Sequence, residues 1–254
     1  MGQFNSDTNA LINRADLNSK NAKYDLEDWI IESLPNLQGI KVLDLGCGTG
    51  KQIFKLAPHV TFNGQILGID ISYDAINSVN EQIRKESISY IEAIQMNIDD
   101  SINKLSNKCF DLIISSYAIY YSNNQIKLIN DLKSLLSKNG TIFVCGPGYG
   151  TNIEIYDIVN LFTTKKIQPL KDFIDIQDIQ EIGKKFSSYK ISRLENKILF
   201  DSPEKIIKWW HNHNSFDVSI APQVEDYIKS FFSKNNNLEL TKNVLGVRFD
   251  AWSI

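Results

Sequence analysis

The feature that most constrains the fold is a β-branched apolar run, Ile40-Lys41-Val42-Leu43-Asp44-Leu45. It stops on Gly46-Cys47-Gly48-Thr49-Gly50 and is followed by Gln52, Ile53 and Leu56 at helical spacing. Strand, tight loop and helix succeed one another with no spare residues. Such a loop presents backbone N–H groups at the positive end of a helix dipole and lets a ligand approach bare main chain. The spacing Gly46-x-Gly48-x-Gly50 differs from the GxGxxG of dinucleotide-binding folds, where the third glycine comes one position later and serves a pyrophosphate. Asp44, two residues ahead of the loop, repels a pyrophosphate but accepts hydrogen bonds from an ammonium group.

The alternation continues. An amphipathic helix, Asp25 to Leu34, closes at Pro35, and the helix after the loop is expected to end at Pro58. Strands are expected at Gln65 to Ile69, Ile88 to Met96, Phe110 to Ser115 and, after an Asn139-Gly140 turn, Thr141 to Cys145. Helices are expected at Tyr73 to Lys85, near Asp100 to Leu105 and at Asn124 to Leu136. Past Gly150 a helix, Ile153 to Thr163, leads into a Lys- and Asp-rich stretch to Lys185 that reads as a surface insertion. A strand at Tyr189 to Phe200, a helix capped by Ser202 with Pro203 in its first position, a helix at Gln223 to Phe232 and a strand at Leu238 to Phe249 complete the chain. The expectation is an α/β fold: a doubly wound, mostly parallel seven-stranded Rossmann-like sheet with an antiparallel C-terminal edge strand and a helical cap. It reads as one domain, with its core at about 24–147 and 188–254 and cap insertions at about 148–186 and 201–235.

Composition narrows the partners. A net charge of -3, from 27 Lys and Arg against 30 Asp and Glu, lacks the basic footprint of a protein that tracks nucleic-acid phosphates. No apolar stretch approaches the roughly 20 residues of a spanning helix, so no membrane partner is expected, and Met1 to Leu11 is polar without a signal segment. Cys47, Cys109 and Cys145 are odd in number, lack CxxC spacing and lie in or beside apolar runs, which reads as small buried thiols in a reduced, cytoplasmic setting. Met1-Gly2-Gln3-Phe4-Asn5-Ser6 fits a myristoylation pattern short enough to recur by chance.

Val42 to Gly50 closely resembles the first motif of the class I S-adenosylmethionine-dependent methyltransferases, in their small-molecule, type 11/25-like branch. The resemblance implies S-adenosylmethionine as cofactor, with Asp44, Gly46, Cys47, Gly48 and Gly50 around it. Asp70, followed by Ile71, ends the strand Ile66-Leu67-Gly68-Ile69 and is implied to accept both ribose hydroxyls. Taken alone it is as readily a cap of the next helix, and the glycine loop tips the balance. Asn97-Ile98-Asp99 lies where the family often reads adenine in a Gly-Asp-Ala type stretch, here with Asn97 at the common Asp position. Asn97 accepts from the adenine amino group and the Ile98 N–H meets a ring nitrogen; Asp99 is an equal candidate for the contact, or a cap. Ser115 is implied to lie beneath the methyl donor, meeting it through its backbone carbonyl.

On the acceptor side, Tyr117-Ala118-Ile119-Tyr120-Tyr121 replaces the Asn-Pro-Pro-Tyr motif of many nucleic-acid and amide N-methyltransferases. Tyr121 falls where many small-molecule relatives have histidine, so it is a candidate to orient the nucleophile, beside the plainer role of a packed ring. His211 and His213, in Trp209-Trp210-His211-Asn212-His213, are candidate general bases, beside the plainer reading of a tryptophan-anchored helix with solvent-facing histidines. Two apart, they do not share a helix face, so no metal site is expected. The reading is methyl transfer to an oxygen or nitrogen of a small molecule held under the cap. The alternatives are a protein or peptide methyltransferase and a nonenzymatic S-adenosylmethionine-binding module.

Overall fold

A computed structural model describes residues 17–18, 20–61 and 63–251. The myristoylation pattern and most of the polar start lie outside them. The chain divides into two compact units.

The first unit comprises Glu27–Gly146, Asp172–Arg193 and Leu245–Ile254. Its elements are α1 (Leu26–Ser33, but for its first residue), β1 (Lys41–Leu45), α2 (Lys51–Val60), β2 (Gln65–Asp70), α3 (Tyr73–Glu86), β3 (Ile91–Gln95), the short α4 (Ser101–Lys104), β4 (Phe110–Ser116), α5 (Gln125–Leu132) and β5 (Leu136–Pro147). After these come α7 (Ile176–Gly183), the first part of β6 (Ser188–Phe200) and the last part of β7 (Leu238–Asp250). The strand order is β3-β2-β1-β4-β5-β7-β6. β1 pairs in parallel with β2, Val42 opposite Ile66, and with β4, Val42 opposite Leu112. The direction of winding therefore reverses at β1 and β4, the topological switch point of an open α/β sheet. β7 runs antiparallel to β5: Ala251 N–H donates to Gly140 O at 2.9 Å, and Thr141 Oγ1 to Asp250 Oδ1 at 2.9 Å.

Burial explains the runs. Leu43, Leu45, Leu67, Ile69, Ile113 and Val144 share one core cluster on one face of the sheet, and Val42, Ile66, Leu112 and Ile114, which alternate with them, are buried on the other, as parallel strands require. The Lys- and Asp-rich stretch is not purely a surface insertion. It hides Ile174 and, on α7, Ile179 and Ile182, which join the core of this unit. α2 continues past Pro58, because Val60 is buried and its carbonyl accepts from Gly39 N–H at 3.0 Å. The Asn139-Gly140 turn is instead part of β5, where the pairing with β4 shifts register between Phe110 and Leu112.

The second unit comprises Met1–Leu26, Pro147–Lys171 and Leu194–Val244. It holds α6 (Ile153–Phe162), α8 (Pro203–His211), α9 (Ala221–Phe232) and the remaining parts of β6 and β7. α8 begins as the sequence implies: Pro203 stands in the first turn and Ser202 Oγ accepts from Lys205 N–H at 3.4 Å. Its core gathers Ile155, Val159, Phe200, Trp209, Trp210 and Val224. Among the described residues no helix is long and apolar enough to cross a membrane. Cys47 and Cys145 are buried as expected, whereas Cys109, on the turn into β4, is exposed.

Candidate functional site

The site grows from the carboxyl ends of β1, β2 and β4 in the first unit. Leaving β1, the chain turns through Gly46 at φ 74° and Gly48 at φ 52°, left-handed values that favour glycine. The turn is pinned to β2 from both sides. Gly46 and Cys47 N–H both donate to Ile69 O, at 2.8 and 2.9 Å, and Gly48 N–H donates to Asp70 Oδ2 at 2.8 Å. A Cβ on Gly46 would stand 2.2 Å from Ala118 Cβ, so the loop is pressed against the turn that follows β4. A Cβ on Gly48 would meet nothing within 4 Å. Gly50, ahead of α2, packs against Phe54 and Val79.

Beneath the loop lies Asp44, 1% exposed, with Oδ2 making no hydrogen bond. Burial, and secondarily the charge of Asp70, raise its pKa from 3.8 to about 7. An orphaned buried carboxylate oxygen is a costly arrangement that a cationic ligand relieves. Gln52, in the first turn of α2, is also buried with neither amide atom bonded. Glu27 of α1 is buried too, paired with Lys51 Nζ at 2.9 Å. Neither Gln52 nor Glu27 stands out in the sequence as a site residue, because each looks like an ordinary helical polar position.

Asp70 does not cap α3. That role belongs to Ser72, whose Oγ accepts from Ala75 N–H at 3.3 Å. Asp70 instead grips the glycine loop through Oδ2 and Ser72 N–H through Oδ1 at 2.8 Å, leaving each oxygen a further lone pair. Ile71 beside it is 67% exposed, an apolar surface next to the carboxylate. The Cys47 thiol, pushed up by burial and then by Asp44 and Asp70, stays protonated.

The Asn97-Ile98-Asp99 element is built differently from the sequence expectation. Asn97 Oδ1 accepts from Asp99 N–H at 3.0 Å and caps the 3-10 turn Ile98–Asp100, so that oxygen is already engaged. Asp99 is turned to the segment after β4. Its carboxylate accepts from Ser122 Oγ, from Asn123 N–H at 3.0 Å and from Asn123 Nδ2 at 2.7 Å. Ser115 is fully buried, and its hydroxyl donates to Leu45 O at 2.9 Å, fastening β4 to β1 where the winding reverses.

The turn after β4 carries two tyrosines. Tyr117 has φ 57°, a genuine strain for an aromatic residue, and its N–H donates to Cys145 O at 2.8 Å. Burial, and then Cys145 and Glu27, push its phenol well above the usual range. Burial similarly pushes the Cys145 thiol up to about 12. Nothing in the sequence marks Tyr117 as strained. Tyr121, at the end of the 3-10 turn Ile119–Tyr121, is half exposed with its ring 4.9 Å from that of Tyr120.

His211 and His213 belong to the second unit. His211 is exposed, its Nε2 2.9 Å from Glu225 Oε1. His213 is not solvent-facing. It is buried and stacked on Trp209 at 4.7 Å, with Nε2 3.2 Å from Asn152 Nδ2 and Nδ1 2.8 Å from Ser215 Oγ. Both its ring nitrogens are occupied within that core.

Residues 36–168 match the methyltransferase domain family. The chain belongs to that family. The chain is 27% identical over 189 residues to an uncharacterized methyltransferase of Schizosaccharomyces pombe, covering 64% of this chain and 65% of the relative. It is 22% identical over 151 residues to a demethylmenaquinone methyltransferase of Lactococcus lactis, covering 59% of each. The matches thus span less than two thirds of either relative. In fold it is similar to a putative methyltransferase structure from Bacillus halodurans, with a TM-score of 0.61 and 13% identity, covering 90% of this chain and 99% of that one.

S-adenosylmethionine fits the residues present. The space over Gly48 admits a ligand against bare main chain, and the unpaired Asp44 oxygen matches the ammonium of a methionine end. The free lone pairs of Asp70 match ribose hydroxyls, and exposed Ile71 offers apolar cover for a base.

Proposed function

We propose that this chain is an S-adenosylmethionine-dependent methyltransferase that methylates an oxygen or nitrogen of a small-molecule acceptor. The observation that carries the donor half is the orphaned carboxylate oxygen of Asp44 beneath the open Gly48. When bound, S-adenosylmethionine supplies an electrophilic methyl carbon, and transfer then depends chiefly on holding a nucleophile in line with it and away from water. Asp44 holds the ammonium end, Asp70 the ribose, Ile71 and the Asn97-Ile98 turn the base, and the Ser115 carbonyl end of β4 the floor beneath the sulfur. Burial keeps the Tyr117 phenol protonated, so it does not take up a proton as a base. Tyr121, half exposed at that turn, is the candidate to orient the acceptor.

A small-molecule acceptor is supported by the type of motif at Val42 to Gly50, by the replacement of the Asn-Pro-Pro-Tyr motif, and by the acceptor named for the demethylmenaquinone relative. The test is incubation of the pure chain with methyl-labelled donor, a deproteinised metabolite extract and, separately, an acid-treated proteome. Label in metabolites alone is the expected result. Label in protein alone would replace the small-molecule acceptor with a polypeptide. Tight S-adenosylhomocysteine binding with no label in either would leave a nonenzymatic module.

A further inference from the structure

The segment Ala118 to Asn124 is tied at both ends to elements assigned to the donor. At one end Ala118 Cβ lies over Gly46, where an added Cβ would approach to 2.2 Å. At the other, the Asp99 carboxylate takes three hydrogen bonds from Ser122 and Asn123. Between those ties the turn is closed by Tyr121 N–H to Ala118 O at 3.0 Å and Ser122 N–H to Ile119 O at 3.1 Å. Ser122 Oγ also accepts from Asn124 N–H at 3.1 Å, and Asn124 Oδ1 caps α5 through Lys127 N–H at 2.9 Å. The Asp99 end is itself stiff: Asn97 caps it, Asp100 N–H donates to Asn97 O at 3.0 Å, and buried Ser101 Oγ donates to Ile98 O at 2.7 Å. A carboxylate that accepts three hydrogen bonds thus ties together two turns more than twenty residues apart in sequence.

We propose that Asp99 is a positioning residue that couples the two sides of the site: occupation of the donor side, at Gly46 to Gly50 and Asn97-Ile98, orders the Tyr120-Tyr121 turn against which the acceptor is presented. The proposal rests on the donor assignment above and adds a reciprocal coupling between the two sides. Ordering by one ligand lowers the cost of binding the next, which is positive coupling without a change of fold.

Hydrogen exchange of the Tyr121 to Asn124 amides, with and without saturating S-adenosylhomocysteine, tests it on the full chain. The ligand is expected to slow these amides about tenfold or more in the wild type. In Asp99→Ala the ligand is expected to bind within about threefold of the wild-type affinity by titration calorimetry, while slowing the same amides less than about twofold. Asn123→Asp, an exposed change that opposes two carboxylates at the same junction, is expected to behave likewise and serves if Asp99→Ala does not fold. Undiminished slowing in the variants overturns the coupling. A tenfold or greater loss of affinity in Asp99→Ala also overturns it, making Asp99 a ligand contact. Wild-type binding without slowing overturns the coupling alone, whereas absence of wild-type binding overturns the donor assignment along with it.

Discussion

Two turns leave adjacent parallel strands at the switch point, and both pass through left-handed backbone. After β1 the positions are Gly46 and Gly48; after β4 the position is Tyr117. The glycine turn accepts left-handed angles at little cost and leaves main chain bare for a ligand. The tyrosine turn takes on strain of roughly 1–2 kcal/mol to set a large side chain where a glycine would leave space. One turn is therefore left bare and the other filled. That contrast is open to direct perturbation.

The largest effect is expected at their point of contact. In Gly46→Ala, an overpacking penalty against Ala118 adds to the left-handed penalty, for a loss of about 3–4 kcal/mol in urea unfolding; a loss under about 1 kcal/mol would mean that the two turns are not pressed together. Next comes Asp44. The folded state binds its proton more tightly than the unfolded chain, whose carboxyl titrates near 3.8, so stability should fall as pH rises from about 4 to about 7 and then level off. Asp44→Asn, which mimics the protonated form, should therefore be near neutral at pH 4 and more stable than wild type by roughly 3 kcal/mol at pH 8. The same substitution should weaken S-adenosylhomocysteine binding, and wild-type binding at pH 6 should release a proton, measurable by calorimetry in buffers of different ionisation enthalpy.

Gly48→Ala separates shape from stability. With no atom within 4 Å of the new Cβ, only the backbone penalty of about 1–2 kcal/mol applies, while ligand affinity should drop by about two orders of magnitude. Unchanged affinity would remove the ligand from this face of the loop. The smallest effect is expected for Ser115→Ala, which deletes the buried bond to Leu45 O and should cost about 1 kcal/mol with little change in donor affinity, because its carbonyl remains.

The glycine loop was legible because its signals are local. Val42 to Gly50 is a contiguous strand, loop and helix start, and the glycines announce the backbone they adopt. For Asp70 the structure decides only against the reading as a helix cap, since Ser72 takes that place. Asp99 was not, since its partners Ser122 and Asn123 arrive across a helix and a strand, and a single sequence does not disclose which acidic residue turns toward them. His213 reads as polar and exposed, but stacking on Trp209 and the bond to Asn152, distant in sequence, draw it inside. Pro58 and Asn139-Gly140 misled in the other direction. Each is a strong local breaker overruled by tertiary contacts, burial of Val60 in one case and the β4–β5 register shift in the other.

β7 has a consequence for how the protein is made. Leu245–Asp250 completes the sheet beside β5, and Leu238–Val244 belongs to the other unit, so neither set of contacts closes until the chain has been synthesised past residue 244. Throughout that interval the edge of β5 lacks its antiparallel neighbour and presents unpaired N–H and C=O groups. Vectorial synthesis thus leaves a long-lived sticky edge, and chaperone demand in the cell should fall on the nascent chain between the emergence of β5 and that of β7.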